Sequence, residues 1–90
     1  ANTRETDIER YLLTALKIAN THGGEDPNDT IILSLYLAGF YFRVGDFDLS
    51  EKYFKQAISL YEQLPKARKL RLAKMQDYLA LAMRAHNEYN

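Results

Sequence analysis

Apolar residues recur along this chain at steps of three and four almost from end to end, and no run of alternating β-branched residues is long enough to read as a strand. The spacing predicts an all-α protein. In the first segment Ile8, Tyr11, Leu12, Ala15, Leu16 and Ala19 form one stripe on a helix over about 6–21, a face that has to be buried. Thr6-Asp7-Ile8-Glu9 reads as a capping box at its start, and Gly23-Gly24 ends it. Asp26-Pro27 opens a second helix over about 27–44, because an acidic cap followed by proline suits a first turn whose N–H groups lack partners. Gly45-Asp46 breaks that helix, and Asp48-Leu49-Ser50-Glu51 supplies the next start signal for a helix over about 48–63. Pro65 stops the third helix and opens the fourth, over about 66–88, through Leu72, Met75, Leu79, Ala82 and Met83.

The link between the second and third helices is so short that they have to run antiparallel, as a helical hairpin over residues 27–64. The chain also repeats itself. Glu9-Arg10-Tyr11-Leu12 with Ala15 matches Glu51-Lys52-Tyr53-Phe54 with Ala57, and Leu37-Ala38 matches Leu79-Ala80, both pairs 42 residues apart. Two independent matches at one interval imply stacked helix–turn–helix units.

Residues Leu37-Ala38, Tyr41, Gly45-Asp46-Phe47, Ser50, Phe54 and Ala57 together resemble the tetratricopeptide repeat (TPR), in which small residues let antiparallel helices approach and aromatics fill the gaps. The 42-residue interval, with the loop Gly23-Gly24-Glu25-Asp26-Pro27-Asn28-Asp29, is similar to the variant found in kinesin light chains and many bacterial proteins. The likeness is closest over residues 31–62, weaker over 8–29 and faintest over 66–89. It implies a right-handed α-solenoid of stacked antiparallel helical hairpins, here four helices in one domain spanning residues 1–90. Departures from the pattern are Ser50 where alanine is usual, a proline displaced to Pro65, and Leu35-Tyr36 where the light-chain type has paired asparagines. The chain begins on a second-type helix and ends on a first-type one, like a section of a longer array whose outer helices need a neighbour.

The resemblance implies a scaffold that holds a protein or peptide partner in a concave groove lined by first-type helices. That groove falls to Leu35, Gly39, Phe42 and Arg43 on the second helix, and to Lys74, Asp77, Leu81 and Arg84 on the fourth. Positions 35, 39 and 42 share one helical face, whereas 34, 37, 38 and 41 share another that meets the third helix. The same residues can be read as plain packing, with Leu35 and Phe42 in the core. As a groove, the set is apolar with cationic edges and suits a peptide with apolar anchors and some acid. It lacks the lysine and asparagine set with which some relatives clamp a terminal carboxylate.

Charge adds a second reading. The chain is neutral overall, but residues 1–51 carry a balance of −5 and residues 52–90 one of +5. Either these are solvated surfaces, or copies attract one another head to tail through exposed terminal helices, making a homo-oligomer. A third reading is a peptide-sensing segment of a larger regulator. Lys66, Arg68, Lys69, Arg71 and Lys74 crowd the start of the fourth helix, yet overall neutrality and the lack of groove-entering motifs argue against nucleic acid.

Catalysis is not expected. His22 and His86 have no partner in the sequence, no metal-ligand or phosphate-loop motif is present, and Asp26 and Asp29 are accounted for by helix capping, so no cofactor is implied. Tyr11, Tyr41, Tyr53 and Tyr61 fall on packing stripes. With 47% apolar and 27% charged residues the chain should fold, and no apolar run is long enough for a membrane span. The absence of cysteine fits a reducing, cytoplasmic setting.

Overall fold

The computed structural model of the protein describes residues 3–21 and 26–89, so His22, the Gly23-Gly24 break and Glu25 lie outside the described residues. Four helices are present among the described residues, with no strand: α1 (Thr3–Thr21), α2 (Pro27–Val44), α3 (Phe47–Glu62) and α4 (Lys69–Tyr89). No helix among these residues is long and apolar enough to cross a membrane.

The best-determined boundaries are those where the sequence itself punctuates the backbone. Asp26 caps α2, its carboxylate accepting the Asn28 N–H at 3.0 Å, and Pro27 takes the first helical position. Gly45 ends α2 in the left-handed region at φ 88°, with its N–H on the Phe42 carbonyl and the Asp46 N–H on the Tyr41 carbonyl. Asp46 then caps α3 by accepting the Leu49 N–H at 3.2 Å. One residue thus closes one helix and opens the next, which fixes the hairpin.

Three sequence-based boundaries are corrected. α1 begins at Thr3, so Thr6 lies inside the helix and not at its N-cap; nothing in Thr3-Arg4-Glu5 interrupts a helix, and Glu5 in the first turn complements its dipole. α3 is capped by Asp46 and starts at Phe47, leaving Asp48 in the first turn. α4 starts at Lys69 instead of directly after Pro65. Residues 63–68 make successive tight turns, Leu64 and Ala67 donating to the Tyr61 and Leu64 carbonyls, and the Tyr61 hydroxyl accepts the Arg68 N–H at 2.8 Å.

The helices pack in sequence order, α1 on α2, α2 on α3 and α3 on α4. The Cα trace extends 41 × 28 × 14 Å, a thin layered stack and not a closed four-helix bundle. Leu12 and Leu16 of α1 join Leu37, Ala38, Phe40 and Tyr41 of α2, Tyr53 and Phe54 of α3 and Ala82 of α4 in one core; Ile31, Ala57, Ile58, Tyr61 and Met75 form a second.

The α2–α3 seam is closed by small residues, with Leu37, Ala38 and Ala57 fully buried. Ser50, also fully buried, donates its hydroxyl to the Ala38 carbonyl at 2.7 Å, and the Gln56 side-chain amide reaches the Ser34 hydroxyl at 3.3 Å. Tyr41 stacks on Tyr53 with centroids 5.8 Å apart, and its hydroxyl donates to Glu9 Oε2 at 2.7 Å, tying α1 to α2. Burial, reinforced by the Glu9 carboxylate, pushes the Tyr41 phenol well above its ordinary value. Tyr11 is exposed, contrary to its place on the α1 stripe, because α2 covers the flank bearing Leu12 and Leu16. His86 is not isolated: its Nδ1 lies 3.3 Å from Glu51 Oε2 across the α3–α4 seam. Lys55, 2.8 Å from Glu51, and then His86 hold the Glu51 carboxyl below the usual range.

Candidate functional site

Two first-type helices, α2 and α4, flank α3 and leave a hollow between them with a volume of about 680 Å³. Leu35, Tyr36, Gly39 and Phe42 form the α2 wall. Met75, Tyr78, Leu81 and the side chains of Arg71 and Lys74 form the α4 wall, and Phe54 of α3 completes the lining. The positions on each wall follow helical spacing, so each wall is one face of one helix. Phe54 and Tyr78 stack with centroids 6.1 Å apart, joining α3 to the α4 wall.

The lining holds two cations and no carboxylate. Its remaining side chains are apolar or aromatic, and Tyr36 and Tyr78 stay 62% and 56% exposed. Gly39 has an unusual place for a mid-helix glycine: a Cβ built on it meets nothing within 4 Å. No close helix contact therefore requires glycine there, although glycine costs a helix interior roughly 0.5–1 kcal/mol relative to alanine. Its effect is to leave the α2 wall open.

The structure brings Leu35, Gly39, Phe42, Lys74 and Leu81 together in this hollow, and it leaves Arg43, Asp77 and Arg84 out of the lining. Arg43 follows Phe42 by one residue and so points about 100° away; its guanidinium carbon lies 5.8 Å from the Phe40 ring centroid instead. Asp77 and Arg84 are exposed elsewhere on α4. Repeat arithmetic transfers Leu35, Gly39 and Phe42 onto Asp77, Leu81 and Arg84, of which only Leu81 lines the α4 wall, beside Lys74 and Tyr78. Sequence reasoning missed Tyr36, Phe54, Arg71, Met75 and Tyr78. One signal was present, since Tyr36 and Tyr78 are 42 residues apart, the repeat interval itself. Among the described residues no group of three or more His, Cys, Asp or Glu side chains gathers as a metal site.

The profile of the tetratricopeptide repeat matches residues 29–90, which include every residue of the hollow. The chain belongs to the tetratricopeptide-repeat family. TPR units generally mediate protein–protein interactions, and the family is a non-catalytic repeat scaffold. Comparison with curated proteins and with solved structures gave no match. The TPR match begins within α2 and covers α2, α3 and α4, so it rests on the hairpin and the helix stacked beside it.

Proposed function

We propose that this protein is an interaction scaffold whose α2–α4 hollow receives a peptide segment of a protein partner, with apolar anchors and acidic flanks. The observation that supports this most is the composition of the hollow: apolar and aromatic walls, Arg71 and Lys74 beside them, and no acidic side chain in the lining. Its volume of about 680 Å³ falls within the roughly 300–1,000 Å³ of ordinary ligand sites. From Leu35 to Phe42 the α2 wall is about 10 Å long at 1.5 Å per residue. That length suits two anchors one helical turn apart, or a short extended stretch. Arg43, Asp77 and Arg84 lie outward of the lining and would touch only the flanks of a longer segment. The reading needs no cofactor, nucleic acid or membrane, and a cytoplasmic setting suits it.

Fluorescence anisotropy with labelled peptides that carry two leucines one turn apart and flanking glutamates tests the proposal, with lysine-flanked peptides of the same pattern as controls. Glutamate-flanked peptides should bind more tightly than the controls. Gly39→Trp, which fills the open wall, should weaken them at least about tenfold, near 1.4 kcal/mol, while the circular dichroism spectrum and thermal midpoint stay native. Equal binding by Gly39→Trp, or no preference for acid, would remove the hollow as the site.

A further inference from the structure

The repeat has a consequence outside the hollow. On α2, Ser34, Ala38 and Tyr41 are buried beneath α3. At the repeat interval Gln76, Ala80 and Met83 form the same stripe on α4, where no described helix covers them; Met83 is 41% exposed. The α3 residues facing that α2 stripe are Ser50, Tyr53 and Gln56. Their counterparts on α1 are Ile8, Tyr11 and Thr14; Tyr11, 72% exposed, and Thr14 are open, while Ile8 packs on the core. The molecule therefore carries residues from both halves of its own α2–α3 seam that are exposed among the described residues, Gln76, Ala80 and Met83 on α4 and Tyr11 and Thr14 on α1.

We propose that α1 of a second copy closes the outer face of α4 in the register that α3 uses on α2. Transferring that register sets Ala80 against Ile8, as Ala38 lies against Ser50 inside the chain. It replaces the Tyr41–Tyr53 stack with Met83 against Tyr11, a sulfur–aromatic contact. The Ser34–Gln56 hydrogen bond becomes Gln76 against Thr14, again an amide and a hydroxyl. The Phe42–Phe47 ring contact, at 5.5 Å, becomes Arg84 against Glu5, an opposite-charge pair. Lys17 falls beside Lys69, a like-charge pair at the solvated edge. The larger field is attractive, because the arrangement brings the half of balance −5 to the half of balance +5. Each copy uses two different faces, so the contact is heterologous and propagates head to tail. It leaves the α2–α4 hollow free, since Gln76, Ala80 and Met83 do not line it.

Analytical ultracentrifugation of the full chain and of two variants, Tyr11→Asp and Ala80→Asp, tests this directly. Both substitutions fall on exposed positions, and native circular dichroism spectra check that each variant folds. The unmodified chain should gain mass with concentration and lose it with added salt. Each variant alone should stay monomeric, because one of its two faces is blocked. Mixed together, the variants should form a one-to-one dimer and nothing larger, through the intact α4 of Tyr11→Asp and the intact α1 of Ala80→Asp. Exchanging the charges at Glu5 and Arg84 singly should weaken association roughly two- to fivefold, and exchanging both should restore it. An unmodified chain that is monomeric at every concentration would overturn the proposal. So would self-association of either folded variant, or a mixture of variants that stays monomeric.

Discussion

The α2–α3 seam and the outer face of α4 carry the same residue spacing in different surroundings. Ser34, Leu37, Ala38 and Tyr41 are buried, and their hydroxyls and rings all find partners on α1 or α3. At the repeat interval on α4, Leu79 is half-buried and Gln76, Ala80 and Met83 are exposed. Periodicity alone therefore does not decide burial; a helix has an apolar stripe by sequence and a buried one only where a neighbour lies on it. The comparison also separates two uses of small residues. Ala38 is small because Ser50 hydrogen-bonds to its carbonyl from the facing helix, whereas Ala80 meets no such contact among the described residues.

The largest expected difference between the two regions comes from truncating the matched leucines. Leu37→Ala, at a fully buried site, should cost about 2–5 kcal/mol in urea unfolding. Leu79→Ala, half-buried, should cost roughly 1–2 kcal/mol in dilute solution. Equal losses would mean that the two helices are equally enclosed. Enlarging the matched alanines gives a smaller but sharper contrast. Ala38→Leu should destabilise by about 1–3 kcal/mol through overpacking, while Ala80→Leu should stay within about 0.5 kcal/mol of the unmodified chain.

A third test concerns the tie between α1 and α2. Tyr41→Phe removes the 2.7 Å bond to Glu9 and should cost about 1–2 kcal/mol near neutral pH. The folded state holds the phenol protonated above its ordinary value of 10.0, so its contribution is complete below that pH and declines as pH rises further. The unmodified chain should therefore lose more stability than Tyr41→Phe between neutral and strongly alkaline pH, as read by unfolding at a series of pH values. A Phe variant with the same alkaline slope would assign that slope to other groups.

The hairpin was the most legible part of the sequence because its signals are local. Asp26-Pro27 and Gly45-Asp46 act on the backbone next to them, and α2 has the bounds that they predict. α1 and α4 begin elsewhere because their apparent starts depend on context. A threonine caps a helix only if the chain before it is not already helical, and the start of α4 is delayed by turns that the Tyr61 hydroxyl secures from α3. The exposure of Tyr11 was hidden for a related reason, since spacing names a stripe but not which flank the next helix covers. The hollow was half legible. Leu35, Gly39 and Phe42 share a face by spacing alone, but the α4 wall depends on the angle between two helices that do not adjoin in sequence. That angle turns Tyr78 inward and Asp77 out.

Amide chemical-shift mapping of the chain with a glutamate-flanked, two-leucine peptide most directly tests the hollow as the place where a partner is held. Changes should concentrate on Leu35, Gly39, Phe42, Lys74, Tyr78 and Leu81, leaving Gln76, Ala80 and Met83 at their free positions. Changes centred on Ala80 and Met83, or spread evenly over all four helices, would contradict it.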